Sequence, residues 1–286
     1  MSKTLSTRRQ FLLLASAGVA ALGADVTLIE PNWPHLIQRE IALDRWPQQL
    51  DGFKIALLSD FHYDPTFSIH PLRAAVRMVN DLNPDLIALT GDFVSLRFSP
   101  RMNREAALTA EPCGSILQNM RSALGQWAVM GNHDQFTDPD IVTSALQNHG
   151  IKVLANQAVP IERGGARFWL AGVNDVISGT ADLKETLASV PSGEPVVLMA
   201  HEPDFADFVA RFPIDLQLSG HSHGGQVRVP FVGPLFLPDL ARKYVRGQYQ
   251  VGRVKLYVNV GIGTVGIPVR WNCPPEVTLL TLRAKP

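Results

Sequence analysis

Cysteine is nearly absent: only Cys113 and Cys273 occur in 286 residues. Two thiols cannot build a zinc-finger cage or a disulfide framework. A single bridge and two buried free thiols both remain open. An excess of charge is missing too. Lys+Arg and Asp+Glu each number 26, so the total gives no pull toward an acidic partner, and no nucleic-acid-binding surface is expected. Internal repeats and low-complexity segments are lacking. So is a phosphate-cradling loop: Gly164-Gly165 and Gly261-x-Gly263 do not open a helix with the required spacing and read as turns. Histidine is sparse, with eight in the chain. Five of them, His62, His133, His201, His221 and His223, directly follow apolar runs. The balance of 46% apolar and 18% charged residues is that of a globular chain. Its length suits one large domain or two small ones and suffices for a sizeable core.

The segment 1–24 reads as a targeting segment. Ser6-Thr7-Arg8-Arg9-Gln10-Phe11-Leu12 resembles the twin-arginine export signal, and an alanine-rich apolar stretch follows from Leu12 to Ala24. That stretch is short for a membrane span and has the size of a signal core. Ala21-Leu22-Gly23 offers small residues for cleavage. The alternative is an uncleaved N-terminal anchor. The paired arginines favour export through the twin-arginine machinery, to the periplasm or cell envelope.

Residues 25–50, punctuated by Pro31, Pro34 and Pro47, read as a linker and one edge strand. The remaining residues, 51–286, form the main domain. Its first strand runs from Phe53 to Leu58 and ends at Asp60-Phe61-His62. Ile69, Leu72, Val76, Val79 and Leu82 then mark one helical face, with Ser68 as its cap, Pro71 in its first turn and Pro84 beyond its end. Leu86–Leu89 follows as a strand ending at Thr90-Gly91-Asp92. The order strand, helix, strand predicts parallel pairing. Residues 93–113 show no clean period and read as a loop insertion, followed by a short helix through Ile116, Met120 and Ala123. A third run, Trp127–Met130, ends at Gly131-Asn132-His133-Asp134, and Asp138–His149 reads as helical. Ile151–Leu154, Val159–Ile161 and Phe168–Ala171 suggest strands of a second sheet, and Asp182–Val190 a helix. The fourth run, Val196–Met199, ends at His201. The fifth, Leu216–Leu218, leads to Gly220-His221-Ser222-His223. Val254–Val260 and Val277–Leu282 close the chain as strands.

Each of the five runs stops at a residue type that binds metal. In an α/β sheet, ligands gather beyond the carboxyl ends of parallel strands, so Asp60, His62, Asp92, Asn132, His133, His201, His221 and His223 are predicted to share one pocket. Eight groups are too many for one tetrahedral zinc. They suffice for two divalent ions sharing a carboxylate, and the donor types admit manganese, iron or zinc. Two such ions carry more charge than Asp60, Asp92 and a bridging hydroxide cancel, so the site should attract a phosphate oxyanion. Two metals about 3.5–4 Å apart clamp the attacking and leaving oxygens of an in-line displacement.

The ordered set D-x-H, G-D, G-N-H-D, H and G-H-x-H, from Asp60 to His223, resembles the calcineurin-like metallophosphoesterase superfamily. The surroundings, Gly261-Ile262-Gly263-Thr264, Pro268-Val269-Arg270 and Pro275-Glu276, resemble its exported bacterial branch. The resemblance implies an α/β fold: a four-layer αββα sandwich of two mixed sheets, with the metals at the C-terminal strand ends. It implies that Asp60, His62 and His223 hold one metal, that Asn132, His201 and His221 hold the other, and that Asp92 bridges them. His133 would face the substrate and protonate the leaving oxygen while metal-bound hydroxide attacks. Asp134 would either orient His133 or cap the following loop. Ser95 stands where the phosphoprotein phosphatase branch carries an acid, which counts against protein phosphatase activity.

A phosphodiester is the favoured substrate. A phosphomonoester, a lipid-linked phosphodiester or pyrophosphate, and a metal-bound scaffold without activity are the alternatives. Val227–Pro238 is apolar with prolines four apart, and Arg242, Lys243 and Arg246 follow it. The stretch reads first as a second-sheet edge strand with a rigid loop. Its other reading is an apolar wall with a basic rim, in contact with a lipid substrate or a membrane.

Overall fold

The computed structural model describes residues 3–285, with side chains from residue 7 onward. Most of the expected targeting segment is helix α1 (Lys3–Ala24); Met1 and Ser2 lie outside the described residues, as does Pro286 at the far end. Helical backbone continues through Asp25 as a π turn and a 3-10 turn, to Asn32. Thr7–Asn32, 26 residues whose apolar core is unburied, is therefore long and apolar enough to cross a membrane. Stopping the apolar run at Ala24 understated its length, because Val26, Leu28 and Ile29 extend it past a single carboxylate.

β1 (His35–Leu43) is the expected edge strand. β2 (Phe53–Leu58), α2 (Ile69–Leu82) and β3 (Leu86–Leu89) coincide with the spans read from periodicity, and β2 and β3 pair in parallel. Ser68 does not cap α2. Its backbone is already helical, and its hydroxyl donates to the His62 carbonyl and accepts from the Asp64 N–H.

Residues 93–113 are not a loop. α3 (Pro100–Ala107) and α4 (Ala110–Leu117) occupy most of the span and absorb Ile116 as well, so no helix runs through Met120 and Ala123. Ser99 caps α3 by accepting from the Met102 N–H. Pro100 stands at the first helical position, where its fixed φ and missing N–H cost nothing.

β4 (Gln126–Ala128) leads into α5 (Asn132–Thr137), and α6 (Pro139–Asn148) follows with Asp138 as its cap. β5 (Lys152–Val153) pairs with β4 and so ends the first sheet rather than opening the second. β6 (Gln157–Arg163), β7 (Ala166–Gly172), α7 (Leu183–Leu187), β8 (Val196–Met199), α8 (Ala206–Val209) and β9 (Leu216–Ser219) follow. β10 (Arg228–Val229) and β11 (Gly233–Pro234) make a separate hairpin, not an edge of the second sheet. That edge is β12 (Gly247–Val251), which is followed by β13 (Val254–Val258) and β14 (Glu276–Ala284).

The first sheet has the order β1-β14-β2-β3-β4-β5 and the second β12-β13-β9-β8-β7-β6. Both are mixed, since β14 runs antiparallel to β2, and β12 and β6 antiparallel to their neighbours. The period of two along each strand divides the apolar residues between layers. Ile55, Leu57, Leu86 and Ala88 meet Leu170, Val197, Met199 and Leu218 between the sheets. Ala56, Leu58, Ile87 and Leu89 pack on the other side against α2, α4 and α6. Trp169, Ala171, Val196 and Leu198 face Leu183 of α7 and Val209 of α8. Layers therefore follow in the order helices, sheet, sheet, helices. Each fully buried aliphatic side chain contributes about 1.5–3 kcal/mol. Cys113 and Cys273 are both free and buried, so no bridge forms.

Candidate metal centre

β2, β3 and β4 run parallel in one sheet, and β8 and β9 in the other. Their carboxyl ends deliver every residue expected at the centre. Asp60 and His62 follow β2, Asp92 follows β3, and Asn132 and His133 open α5 after β4. His201 follows β8, and His221 and His223 follow β9. Five of these residues, Asp60, His62, Asp92, His221 and His223, have φ between 39° and 67°. Left-handed backbone costs a non-glycine residue on the order of 1–3 kcal/mol and persists only where the surroundings impose it. Ser59–Phe61 threads between two glycines that leave no room for a side chain. A Cβ on Gly220 would lie 1.8 Å from Ser59 Oγ, and one on Gly263 would lie 2.0 Å from the Phe61 carbonyl oxygen.

Three triads each bring their donor atoms within 4.8 Å of one another: Asp60, His62 and His223; Asp92, His201 and His221; and His62, Asp92 and His133. Asp92 lies between the first two. Its Oδ2 is 3.4 Å from His62 Nε2 and 3.1 Å from His201 Nε2. His62 Nε2 and His223 Nε2 face each other at 3.0 Å, and Asp60 Oδ1 is 3.4 Å from His223 Nε2.

Outer hydrogen bonds fix the rings. His201 Nδ1 meets the Thr90 carbonyl at 2.6 Å, His221 Nε2 meets the Asp239 carbonyl at 2.8 Å, and His62 Nδ1 lies 3.2 Å from Ser95 Oγ. Each such contact frees the ring's other nitrogen for the centre. His201 Nε2 and Asn132 Oδ1 are buried without a hydrogen-bond partner. Orphaned donors and acceptors of this kind are rare in a settled interior. With the carboxylates of Asp60 and Asp92 and the imidazoles of His62, His221 and His223 around them, they fit a pair of divalent cations.

The electrostatics agree. Burial, and then the nearby His133, push the pKa of His62 down to about 3. Burial also lowers His221 to about 4 and takes His223 well below the usual range. All three imidazoles are therefore neutral at pH 7, the form that binds metal. Burial raises Asp60 to about 6. Burial disfavours charged His201 as well, but the carboxylates of Asp92, Asp60 and Glu202 together outweigh it and hold His201 well above its ordinary value.

Asp134 acts as a backbone cap: its carboxylate accepts from the N–H groups of Asp92, Phe93, Val94 and Gly131, and among the described residues no hydrogen bond joins it to the His133 ring. It fastens the loop after β3 to the start of α5, which fixes Asp92 against Asn132. Burial, then the charge of Asp92, raise its pKa to about 7 against the four N–H donors. His133 is half-buried at the mouth. Its Nδ1 accepts from the Leu96 N–H at 2.8 Å, so its ring hydrogen lies on Nε2.

A cavity of about 620 Å³ opens over Asp92, Asn132, His133, His221 and His223. Val227, Leu235, Phe236 and Pro238 form one wall, as the apolar reading of that stretch has it. Val265, Ile267 and Val269, which sequence reasoning missed, form another. Arg270 builds that second wall. Fully buried, it donates to the carbonyls of Val260, Gly261, Gly263 and Cys273. Two residues of the expected basic rim are ion-paired, Arg242 with Asp239 and Lys243 with Asp207, and none of Arg242, Lys243 and Arg246 lines the cavity.

Residues 53–225 match the calcineurin-like phosphoesterase family. An uncharacterized metallophosphoesterase of Bacillus subtilis (strain 168), YkuE, is 31% identical over 97% of this chain and 98% of its own length. Phosphodiesterase YaeI of Escherichia coli (strain K12) is 32% identical, covering 96% of this chain and 99% of that protein. A Danio rerio protein named as a transmembrane protein with a metallophosphoesterase domain is 32% identical over 97% of this chain. The match spans 63% of that longer relative.

Proposed function

The chain belongs to the calcineurin-like phosphoesterase family, and on that premise we propose that it hydrolyses a phosphodiester at a dinuclear metal centre outside the cytoplasm. Phosphoric ester hydrolysis is the activity its relatives' names carry. The observation that supports a dinuclear centre most strongly is the single oxygen, Asp92 Oδ2, within 3.4 Å of nitrogens from two different triads. When bound, two divalent cations neutralise phosphate charge and lower the pKa of water enough to make a nucleophile near neutral pH. Asp60, His62 and His223 would hold one of them, Asn132, His201 and His221 the other, and Asp92 both. Manganese, iron and zinc all suit these donors.

The chain's own residues do the rest. Asp134 holds Asp92 and the start of α5 in register, so the two ligand sets keep their spacing. His133 stands beside His62, with ring centroids 4.6 Å apart, and turns a hydrogen-bearing Nε2 toward the substrate. In its imidazolium form, reached when the Leu96 contact opens, it gives the Nε2 proton to the leaving oxygen and is left as neutral imidazole, the role of a positioned acid. The apolar walls exclude water from the rest of the cavity and admit a second ester arm, which favours a diester over a monoester.

A metal-reconstituted sample is expected to turn over bis(p-nitrophenyl) phosphate with a kcat/KM at least about tenfold above that for p-nitrophenyl phosphate, about 1.4 kcal/mol of differential transition-state binding. The reverse order would make it a monoesterase. No turnover of either ester with both cations bound would leave a scaffold. Export rests on Arg8 and Arg9 ahead of an apolar helix. Replacing both by Lys is expected to trap precursor in the cytoplasm in a fractionation assay, whereas undiminished export would refute the twin-arginine route.

A further inference from the structure

The cavity over the metal centre is larger and more apolar than phosphate chemistry requires. Its volume of about 620 Å³ lies in the range that encloses a whole small ligand, about 300–1,000 Å³. Beyond the metal-facing residues its lining is chiefly Val227, Leu235, Phe236, Val265, Ile267 and Val269. No Lys or Arg lines it among the described residues, so a second phosphate or a polyanionic leaving group would find no counter-charge there. A hydrocarbon arm would find a continuous wall.

Leu235, Phe236 and Ile267 are also more than 60% exposed at the rim, and the tip of the β10–β11 hairpin presents Phe231 fully and Val232 largely to the outside. Apolar surface of this kind around a cleft marks a site for an apolar partner.

A second observation says where that partner comes from. The largely exposed apolar helix Thr7–Asn32 is tied at its base to the same loop that builds the second wall. The Arg270 N–H donates to the Val26 carbonyl at 3.0 Å, and the Asn272 and Cys273 N–H groups donate to the Glu30 carboxylate. The segment able to enter a bilayer and the segment that walls the cleft are therefore fastened together.

Building on the phosphodiesterase reading, we propose that the substrate is a membrane phospholipid or lipid-linked phosphodiester, whose phosphate sits on the cations while its acyl or alkyl arm lies in this apolar cleft. The reaction is the same hydrolysis. Water adds to phosphorus, one P–O ester bond breaks, and the leaving oxygen takes one proton while solvent takes the other. The lipid enters from the bilayer that holds the helix.

The test uses the full chain, loaded with manganese in nanodiscs, with empty nanodiscs as the blank. Calorimetric titration compares methylphosphonate with octylphosphonate, which share a head group and differ in the arm. Octylphosphonate is expected to bind at least tenfold more tightly, with the ratio shrinking toward one in Leu235→Ser and Phe236→Ser. Equal affinities would overturn the proposal, and so would a preference that both substitutions leave intact. Turnover of methyl p-nitrophenyl phosphate is measured alongside. Its absence, with the binding preference present, would refute the phosphodiesterase reading and leave the lipid cleft standing. Hexadecyl p-nitrophenyl phosphate placed in the vesicles that carry the protein is expected to be cleaved faster than the same lipid in separate vesicles. Equal rates would rule out the bilayer as the source.

Discussion

An Asp92→Asn chain is expected to lose both cations together. The carboxylate sits between His62 and His201 through one oxygen, while its other oxygen accepts the His133 N–H at 2.9 Å. An amide is nearly the same shape but brings no negative charge, so each cation loses a shared counter-ion at once. Metal content should fall from two per chain toward none. Cations of this kind supply several kcal/mol of transition-state stabilisation, so at about 1.4 kcal/mol per decade kcat should fall by about 10³-fold or more. Elemental analysis after gel filtration reads the first effect and steady-state kinetics the second. A variant that keeps two cations would contradict the bridge.

His133→Ala separates chemistry from metal binding. His133 belongs to a triad with His62 and Asp92 that could itself hold an ion, and it also stands at the mouth with Nε2 free to donate. The variant is expected to retain both cations and lose on the order of 10²–10⁴-fold in kcat, the usual contribution of a positioned acid. The loss should be smaller for an ester with a good leaving group, such as p-nitrophenolate, than for an alkoxide leaving group, because the better leaving group needs less help. Departure of a cation on this substitution would make His133 a ligand.

The centre was legible in the sequence because of how parallel strands work. Each ligand-bearing stretch follows a run of buried aliphatics, and parallel strands place their carboxyl ends side by side whatever their separation along the chain. α2 was legible for a related reason: Leu72, Val76 and Val79 repeat at helical spacing because they are buried on one face.

What stayed hidden depended on long-range partners or on small side chains. α3 buries only Ala106 and Ala107, which print no apolar stripe on a segment dominated by exposed arginines; the start signal Ser99-Pro100 was the available clue. β5 carries too short a pattern to say which sheet it joins. The role of Asp134 is set by N–H groups about 40 residues away. The wall through Val265, Ile267 and Val269 is shaped by the carbonyl bonds of Arg270 rather than by any local period. Hydropathy along the N-terminus is interrupted by Asp25, whereas helical backbone carries the apolar surface eight residues beyond Ala24, to Asn32.

The most direct test of a paired-cation centre is a count of the cations and a measure of their spacing on one sample. Full chain purified without chelator and reloaded with manganese should contain two ions by elemental analysis. Its electron paramagnetic resonance spectrum should be that of two spins coupled through a shared ligand. A single ion per chain, or two ions with uncoupled spectra, would contradict the convergence of the five strand ends on one centre.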